Sequence, residues 1–175
     1  MSGFRTDQLK TALELNLPPL HAYDVCASDE LPRHRIGQRP VCLVVNTEAS
    51  GDPGIHWQAI YLPDVEEEAP EFFCSNGREM SQSVAEFLGL QGDYCHALAT
   101  DVWLQHPLSI SCGLFCLDFL LFRATGLGSF SDYAARFTRN RWLQNENELW
   151  RYWNISSAAD APDSFWLEHS DTSHR

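Results

Sequence analysis

Apolar residues recur along the chain with two different periods, which predict helices and strands in turn. Residues 5–16 carry three leucines and one alanine at helical spacing, so we expect an amphipathic first helix that ends before Pro18 and Pro19. Residues 41–45 form a continuous β-branched and apolar run, which is typical of a strand covered on both faces. Residues 55–62 alternate, and they predict a second strand that is the hairpin partner of the first.

The rest of the chain shows only short periodic segments, apart from one long apolar run at residues 112–124. Residues 17–40 contain prolines, scattered charges and no period, so we expect an irregular connection there. Residues 112–124 are apolar almost all round, which predicts a buried central helix. The polar tail 156–175 has little to bury and is expected to be disordered. Strands are also predicted over 71–74 and 94–104, and helices over 80–90, 131–137 and 142–153, the last capped by Asn140.

Length and charge narrow the class of protein. The chain has 175 residues, which suits one domain, and we assign that domain to residues 1–155. The net charge of -12 disfavours a nucleic-acid binder, because such affinity comes from Lys and Arg displacing counterions. No apolar run approaches the roughly 20 residues of a membrane span, and the first residues lack the pattern of a signal peptide. We therefore expect a reducing intracellular compartment, where the six cysteines are buried, catalytic or metal-binding rather than disulfide-bonded.

Cys112 is the first candidate for chemistry, because it stands where the buried helix is predicted to begin. A helix N-terminus presents free N–H groups and a partial positive charge, and both favour thiolate over thiol. The backbone N–H of the same residue could also donate to a developing oxyanion. The competing interpretation is a cysteine packed as a small hydrophobe, and Cys116, one turn further on, fits that interpretation.

His56 and Gln105 supply the other groups that a cysteine hydrolase needs. His56 is the candidate general base, although a lone histidine on a strand is more often structural. Gln105, seven residues before Cys112, is the candidate second oxyanion donor, although a lone glutamine in a loop is usually solvated. It is the joint occurrence of thiol, imidazole and amide that favours cysteine-dependent hydrolysis.

That joint pattern resembles the adenovirus protease (adenain) family of cysteine endopeptidases. The motif consists of His56-Trp57, then Gln105, then Cys112-Gly-Leu-Phe-Cys116. The likeness runs from about residue 20 to residue 150. Further matching segments, in the same order and spacing, are Ala27–Pro32, Val44–Thr47, Pro53–Trp57, Phe72–Gly77 and Phe137–Glu148.

The resemblance implies a fold and a set of roles. The fold is α+β and papain-like or adenain-like, with a central mixed sheet packed against helices and a buried helix that carries the cysteine. Cys112 would be the nucleophile and His56 the general base and acid, while Gln105 and the Cys112 N–H would form the oxyanion hole. The substrates would be viral precursor proteins, cleaved during virion maturation in the host nucleus or the virion. The sequence itself requires no cofactor or metal, and its acidic balance and lack of a long apolar run make nucleic acid and membranes unexpected partners.

Cys74 departs from the family pattern, in which this position carries Asp or Glu. That carboxylate accepts a hydrogen bond from the imidazole, and a neutral thiol is a poor substitute. Cys74 is therefore only the position of the third catalytic member, and three alternatives stay open. The enzyme is active but weaker, with Asn76 standing in; it is a silent pseudoprotease kept for binding; or Cys74, His56 and Cys112 bind a soft metal such as zinc. Glu71 should point the opposite way.

Two further expectations follow from the resemblance. Cys95 lies near the place where some adenovirus enzymes bond covalently to a short activating peptide, and its competing interpretation is a core strand cysteine. Proteases for SUMO and ubiquitin share the architecture, so processing of ubiquitin-like modifiers is the rival activity. The rival outside the hydrolases is a catalytically silent binding or capsid-assembly protein.

Overall fold

The computed structural model describes residues 3–34, 37–65, 68–90 and 97–154, with the Leu90 side chain left out. These residues form five strands and five α-helices, besides one 3₁₀ turn at Leu31–Arg33. No helix in this part of the chain has the length and apolarity needed to cross a bilayer. The elements in chain order are α1 Thr6–Asn16, β1 Ala22–Cys26, β2 Val41–Asn46, β3 Trp57–Leu62, β4 Glu71–Phe73, α2 Gln82–Leu90, β5 Leu98–Ala99, α3 Cys112–Ala124, α4 Phe130–Ala135 and α5 Trp142–Tyr152.

The five strands form one mixed sheet in the order β1-β2-β3-β4-β5. The predicted hairpin of β2 and β3 is confirmed, with Val41 opposite Leu62 and Asn46 opposite Trp57. The strand β4 continues this meander antiparallel to β3. The two outer strands, β1 and β5, run parallel to their neighbours. The α+β class predicted from the sequence, with a central mixed sheet packed against helices, is therefore confirmed.

The sheet buries a hydrophobic cluster on each face. Since side chains alternate along a strand, β3 directs Trp57, Ala59 and Tyr61 to the cluster that contains α1 and α3. Ile60 and Leu62 belong to the other cluster, with α2. The same alternation leaves the residue before Trp57 on the side of Ile60.

Helix α3 is buried along its first nine residues and has the predicted bounds. Its one acid in that stretch, Asp118, accepts hydrogen bonds from Arg136 Nη1 at 2.9 Å and Trp153 Nε1 at 3.0 Å. These bonds pair the buried carboxylate and connect α3 to the C-terminal end of the described chain. The helix that carries Cys112 therefore sits in a rigid, fully packed setting.

Three local predictions were wrong. Residues 17–40 contain a strand, β1, whose burial follows no alternation because its first two residues, Ala22 and Tyr23, are exposed and its last two are buried. The strand predicted over 94–104 is observed only at Leu98–Ala99, and residues 91–96 are outside the described part. Asn140 does not cap α5, because it has a positive φ of 62° and Arg141 holds the cap position. The predicted disorder of the tail also lies outside the described residues.

One buried ion pair fastens the sheet to α3. Arg123 Nε and Nη2 donate to the two carboxylate oxygens of Glu71 at 2.7 and 2.8 Å. The Glu71 side chain is 4% exposed and that of Arg123 is 15% exposed, so neither charge is well hydrated. Glu71 therefore points to α3 and away from the neighbourhood of Cys74, as the strand alternation predicts.

We expect Arg123→Met to lower the free energy of unfolding by about 3–5 kcal/mol, because it leaves a buried carboxylate without its partner. The double variant E71L/R123M should lose less, since it removes both charges from the interior. Urea denaturation at pH 7 measures both variants. A double variant less stable than R123M would contradict this account of the pair.

Candidate active site

His56 lies at the residue before β3, at the end of the β2–β3 hairpin. Its carbonyl accepts a hydrogen bond from the backbone N–H of Thr47 at 2.9 Å, which extends the hairpin ladder by one pair. The residue is 4% exposed, so its ring is enclosed by protein. The next residue, Trp57, points to the opposite face, where its indole N–H donates to the carbonyl of Phe4 at 2.9 Å. Backbone pairing and this anchor together fix the direction of the His56 side chain.

Cys74 follows the last residue of β4 and contacts the imidazole. The distance from His56 Nε2 to Cys74 Sγ is 3.3 Å, and Gln58 Nε2 lies 3.8 Å from the same sulfur. The Cys74 backbone is held by Thr100, whose hydroxyl accepts from the Cys74 N–H at 2.8 Å and donates to the Cys74 carbonyl at 3.0 Å. Two nitrogen atoms thus converge on the position where the resemblance expects an acidic side chain.

Asn76 contacts the other ring nitrogen, with its Nδ2 3.4 Å from His56 Nδ1. With the amide in this orientation, one neutral tautomer satisfies both contacts. The Nε2–H donates to Cys74 Sγ, and the bare Nδ1 accepts from Asn76. Asn76 therefore does not stand in for Cys74, because it touches the nitrogen on the opposite side of the ring. The basic nitrogen in this tautomer is Nδ1.

The electrostatic setting keeps the imidazole neutral. Burial, reinforced by the positive charge of Arg78, lowers the pKa of His56 to about 4. No carboxylate offsets this shift at the Cys74 position. At neutral pH the ring is consequently a free base, able to accept a proton but poorly able to keep one.

Cys112 is the first residue of α3 and is 5% exposed. Burial raises the pKa of its thiol, while hydrogen bonds from the backbone N–H groups of Trp57, Gly113 and Cys112 itself lower it. The sulfur thus rests against the backbone of the residue next to His56 and against the first turn of its own helix. Among the described residues, the His56 ring donates a hydrogen bond to Cys74 and accepts one from Asn76, and none joins it to Cys112.

Gly113 lets the N-terminal segment approach the start of this helix. A Cβ on this glycine would lie 2.9 Å from the Cβ of Phe4, closer than real side chains come. Phe4 is also the residue whose carbonyl accepts from the Trp57 indole, so it contacts both the start of α3 and Trp57. The glycine after the cysteine is therefore required by packing.

Gln105 is 1% exposed and has a partner on each side of its amide. Its Oε1 accepts a hydrogen bond from the Ser75 hydroxyl at 2.6 Å, and its Nε2 donates to the Ser109 carbonyl at 2.8 Å. Ser75 follows Cys74, and Ser109 belongs to the loop that leads into α3. Gln105 is therefore not a solvated loop residue, and it bridges the two segments that carry the candidate thiols.

A cleft of about 390 Å³ is bordered by Trp57. It lies between the start of α1, the end of β1 and the loop before His56. Its wall combines one basic residue with acidic and small residues. Among the lining residues are Arg5, Glu30, Asn46, Asp52, Gly54 and Trp57.

A series of contacts at one end of β3 and β4 therefore connects His56 and Gln105 to the loop before Cys112, although no hydrogen bond joins the His56 ring to the Cys112 thiol among the described residues. His56 touches Cys74, the next residue Ser75 binds Gln105, and the Gln105 amide holds the loop that ends at Cys112. Five cysteines in the described part are free and buried, and Cys95 lies outside it. Within the described ranges no three His, Cys, Asp or Glu side chains are arranged to hold a metal, so the metal alternative has no geometric support.

Sequence reasoning missed Ser75, Thr100 and Gln58. Each acts through a contact between segments far apart in the chain, such as the 26 residues that separate Cys74 from Thr100. A small polar residue gives no periodic signal in a short strand or loop. The one available hint was the position of Ser75, directly after the residue aligned with the third catalytic member.

No family model matches the chain, and no curated protein sequence matches it. Among solved structures, the fold is similar to the ASFV pS273R protease, with 21% identity and a TM-score of 0.49 over 64% of this chain and 42% of that one. It is similar to the central domain of the uncharacterized Lpg1148 protein from Legionella pneumophila, with 14% identity and a TM-score of 0.48 over 85% and 98%. The SUMO protease Ulp1, with its catalytic cysteine oxidized to a sulfonic acid, is 8% identical with a TM-score of 0.48 over 96% and 79%. This chain spans less than half the length of the ASFV protease.

Proposed function

We propose that this chain is a cysteine endopeptidase. The observation that carries the proposal is the series of contacts from His56 to Cys74, from Ser75 to Gln105, and from Gln105 to the loop before Cys112. Acyl transfer to sulfur requires three groups. They are present here as a thiol at a helix N-terminus, a neutral imidazole at the start of β3, and a buried, oriented amide. Each is buried, so the chemistry would proceed with little competing water.

The reaction would begin with proton transfer from the Cys112 thiol to Nδ1 of His56. The resulting thiolate attacks the scissile carbonyl carbon, and the oxygen becomes an oxyanion that accepts hydrogen bonds from the Cys112 N–H and from Gln105 Nε2. His56 Nδ1–H then protonates the leaving amine, which yields a thioester at Cys112 and a free product amine. Water activated by His56 hydrolyses the thioester and restores the thiol.

A second candidate function is a silent binding protein with the same fold. Two observations favour it: the imidazole contacts Cys74 and Asn76 in place of Cys112, and burial holds the pKa of His56 at about 4. Both describe a resting site in which thiol and imidazole are neutral. Activity then requires Asn76 to yield the Nδ1 position when a substrate enters.

The substrate we infer is an unfolded or extended protein segment, in keeping with the adenain resemblance and its viral precursor proteins. The cleft beside Trp57 could accept the part of the segment that precedes the cleaved bond, and small residues such as glycine would best pass the crowded junction at Gly54. Processing of ubiquitin-like modifiers would use the same cleft. Virion maturation, location in host nucleus or virion, and an activating peptide at Cys95 remain parts of this proposal.

We expect a peptide vinyl sulfone that ends in Gly-Gly to form a covalent adduct at Cys112 of the native protein. The adduct should be absent from Cys112→Ala, and it should persist in Cys116→Ala, the matched buried thiol one turn further along the helix. Mass spectrometry of tryptic peptides identifies the modified residue. Labelling at Cys112 no faster than in urea-denatured protein would count against a protease.

The pH dependence of alkylation tests the neutral resting state. Because burial raises the pKa of the Cys112 thiol, deprotonation requires a higher pH than for an ordinary cysteine. The rate of reaction with iodoacetamide at Cys112 should therefore rise about tenfold per pH unit through the neutral range and keep rising above pH 9. A plateau between pH 5 and pH 8 would instead reveal a preformed thiolate–imidazolium pair, contrary to this expectation.

We expect Cys74→Asp to raise the rate of alkylation of Cys112 at pH 7 by about tenfold or more. A carboxylate beside Nε2 stabilises the imidazolium, which raises the pKa of His56 and favours transfer of the Cys112 proton. Peptide turnover should rise in parallel. The control is Cys74→Ala, which removes the sulfur without adding charge and should not gain reactivity. Equal rates in the two variants would show that charge at this position does not limit the reaction.

A further inference from the structure

We infer that Ser75 is the positioning residue for the oxyanion-hole amide of Gln105. This inference rests on the proposed function, and it adds to it a residue that the adenain resemblance does not assign. Both side chains are buried, with Ser75 at 0% and Gln105 at 1% exposure. The hydrogen bond between them, from Ser75 Oγ to Gln105 Oε1, is 2.6 Å long.

Ser75 holds Gln105 through its backbone as well as its hydroxyl. The Ser75 carbonyl accepts hydrogen bonds from the backbone N–H groups of Leu104 at 2.8 Å and Gln105 at 3.1 Å. On either side of this contact, the Thr100 hydroxyl accepts from the Cys74 N–H, and Asn76 forms an antiparallel bridge with Trp103. Residues 100–105 are thereby laid against residues 74–76, and the Gln105 side chain starts from a fixed backbone position.

The glycine at the end of this segment makes the alignment feasible. Gly77 has a φ of +57°, and a Cβ there would lie 2.7 Å from Trp103 Cδ1 and 2.9 Å from the Val102 carbonyl carbon. A larger residue would separate the two segments at this point. Ser75 and Gln105 can therefore meet because the chain turns sharply two residues later.

The two partners of the Gln105 amide determine its orientation. The Ser109 carbonyl can only accept, so it requires the NH₂ end of the amide on its side. Oε1 then faces Ser75, whose hydroxyl must donate. Since the amide is planar, holding Oε1 and one N–H fixes the direction of the second N–H, which is left for the substrate oxyanion.

Without the Ser75 hydroxyl, Oε1 would be a buried acceptor with no donor. The amide would then rotate or tilt to find another partner, and its second N–H would leave the direction in which an oxyanion forms. Ser75 would act only through Gln105, and its loss should affect steps that build negative charge on oxygen. It should not affect reactions of the thiolate that involve no oxyanion.

A comparison of two small reagents at Cys112 separates reactions that form an oxyanion from reactions that do not. Acylation by p-nitrophenyl acetate passes through a tetrahedral oxyanion, whereas alkylation by iodoacetamide displaces iodide directly and forms none. Both reactions need the same Cys112 thiolate. A change in the thiol pKa therefore alters both rate constants alike and leaves their ratio unchanged. The ratio is measured at one pH by mapping modification of the Cys112 peptide in the full chain.

We expect Ser75→Ala to lower this ratio about tenfold, a fraction of the roughly 10²–10³ that loss of a whole oxyanion donor removes. Ser81→Ala should leave the ratio unchanged, because the Ser81 hydroxyl bonds Ser83 and not Gln105. In the Gln105→Ala background, Ser75→Ala should have no further effect, since the residue it positions is gone. If Ser75→Ala folds poorly, Ser75→Cys, which keeps the shape and weakens the donor, must lower the ratio as well.

Three results would overturn the inference. An unchanged ratio in folded Ser75→Ala, together with a wild-type ratio well above that of free cysteine, would refute the role of Ser75 and leave the proposed protease intact. Additive effects of Ser75→Ala and Gln105→Ala would refute it equally, because they would show that Ser75 acts independently. A wild-type ratio no higher than that of free cysteine would overturn the oxyanion hole itself, and with it both proposals.

Discussion

The pairing of residues 74–76 with residues 100–105 is the constraint on which the candidate site depends. It sets Cys74 against the His56 ring, and it joins Ser75 to Gln105, 30 residues away, beside the loop that leads into α3. The hydrogen bonds that form it are short and buried, so water cannot compete for them. Helix α3 then completes the set of groups, because its first residue, Cys112, lies against the backbone of Trp57.

Much of this arrangement could be predicted where one chain segment carries its own signal. The bounds of α3 follow from an apolar run with no polar face, and the β2–β3 hairpin follows from two apolar runs close in sequence. Strand β1 could not be predicted in this way, because its partner β2 lies beyond a proline-rich connection and its first residues are exposed. Asn140 failed as a cap because tertiary contacts decide that loop: Asn145, from within α5, accepts from the Thr138 N–H instead.

The candidate site shows the same division. His56, Gln105 and Cys112 could be predicted together because their order and spacing resemble a family pattern. Ser75 and Thr100 could not, since hydrogen bonds across 30 and 26 residues leave no trace in local composition. The protonation states were also beyond sequence reasoning. A helix N-terminus favours thiolate, but burial of the sulfur outweighs it and raises the pKa of Cys112.

A thiol at position 74 suits this buried setting because its desolvation costs less than that of a carboxylate. A carboxylate there would have to be stripped of water beside a neutral ring, whereas a thiol can accept from Nε2–H with little desolvation. The consequence is an imidazole with no counter-charge. Within the described residues, Gln58 Oε1 and Asn76 Oδ1 are buried acceptors without a donor. Neither oxygen takes the place of a carboxylate on the ring, because Gln58 contacts Cys74 and not His56, and Asn76 must leave Nδ1 before the Cys112 proton arrives there. The imidazolium that forms when Cys112 gives up its proton would therefore meet no negative charge among the described groups that contact the ring.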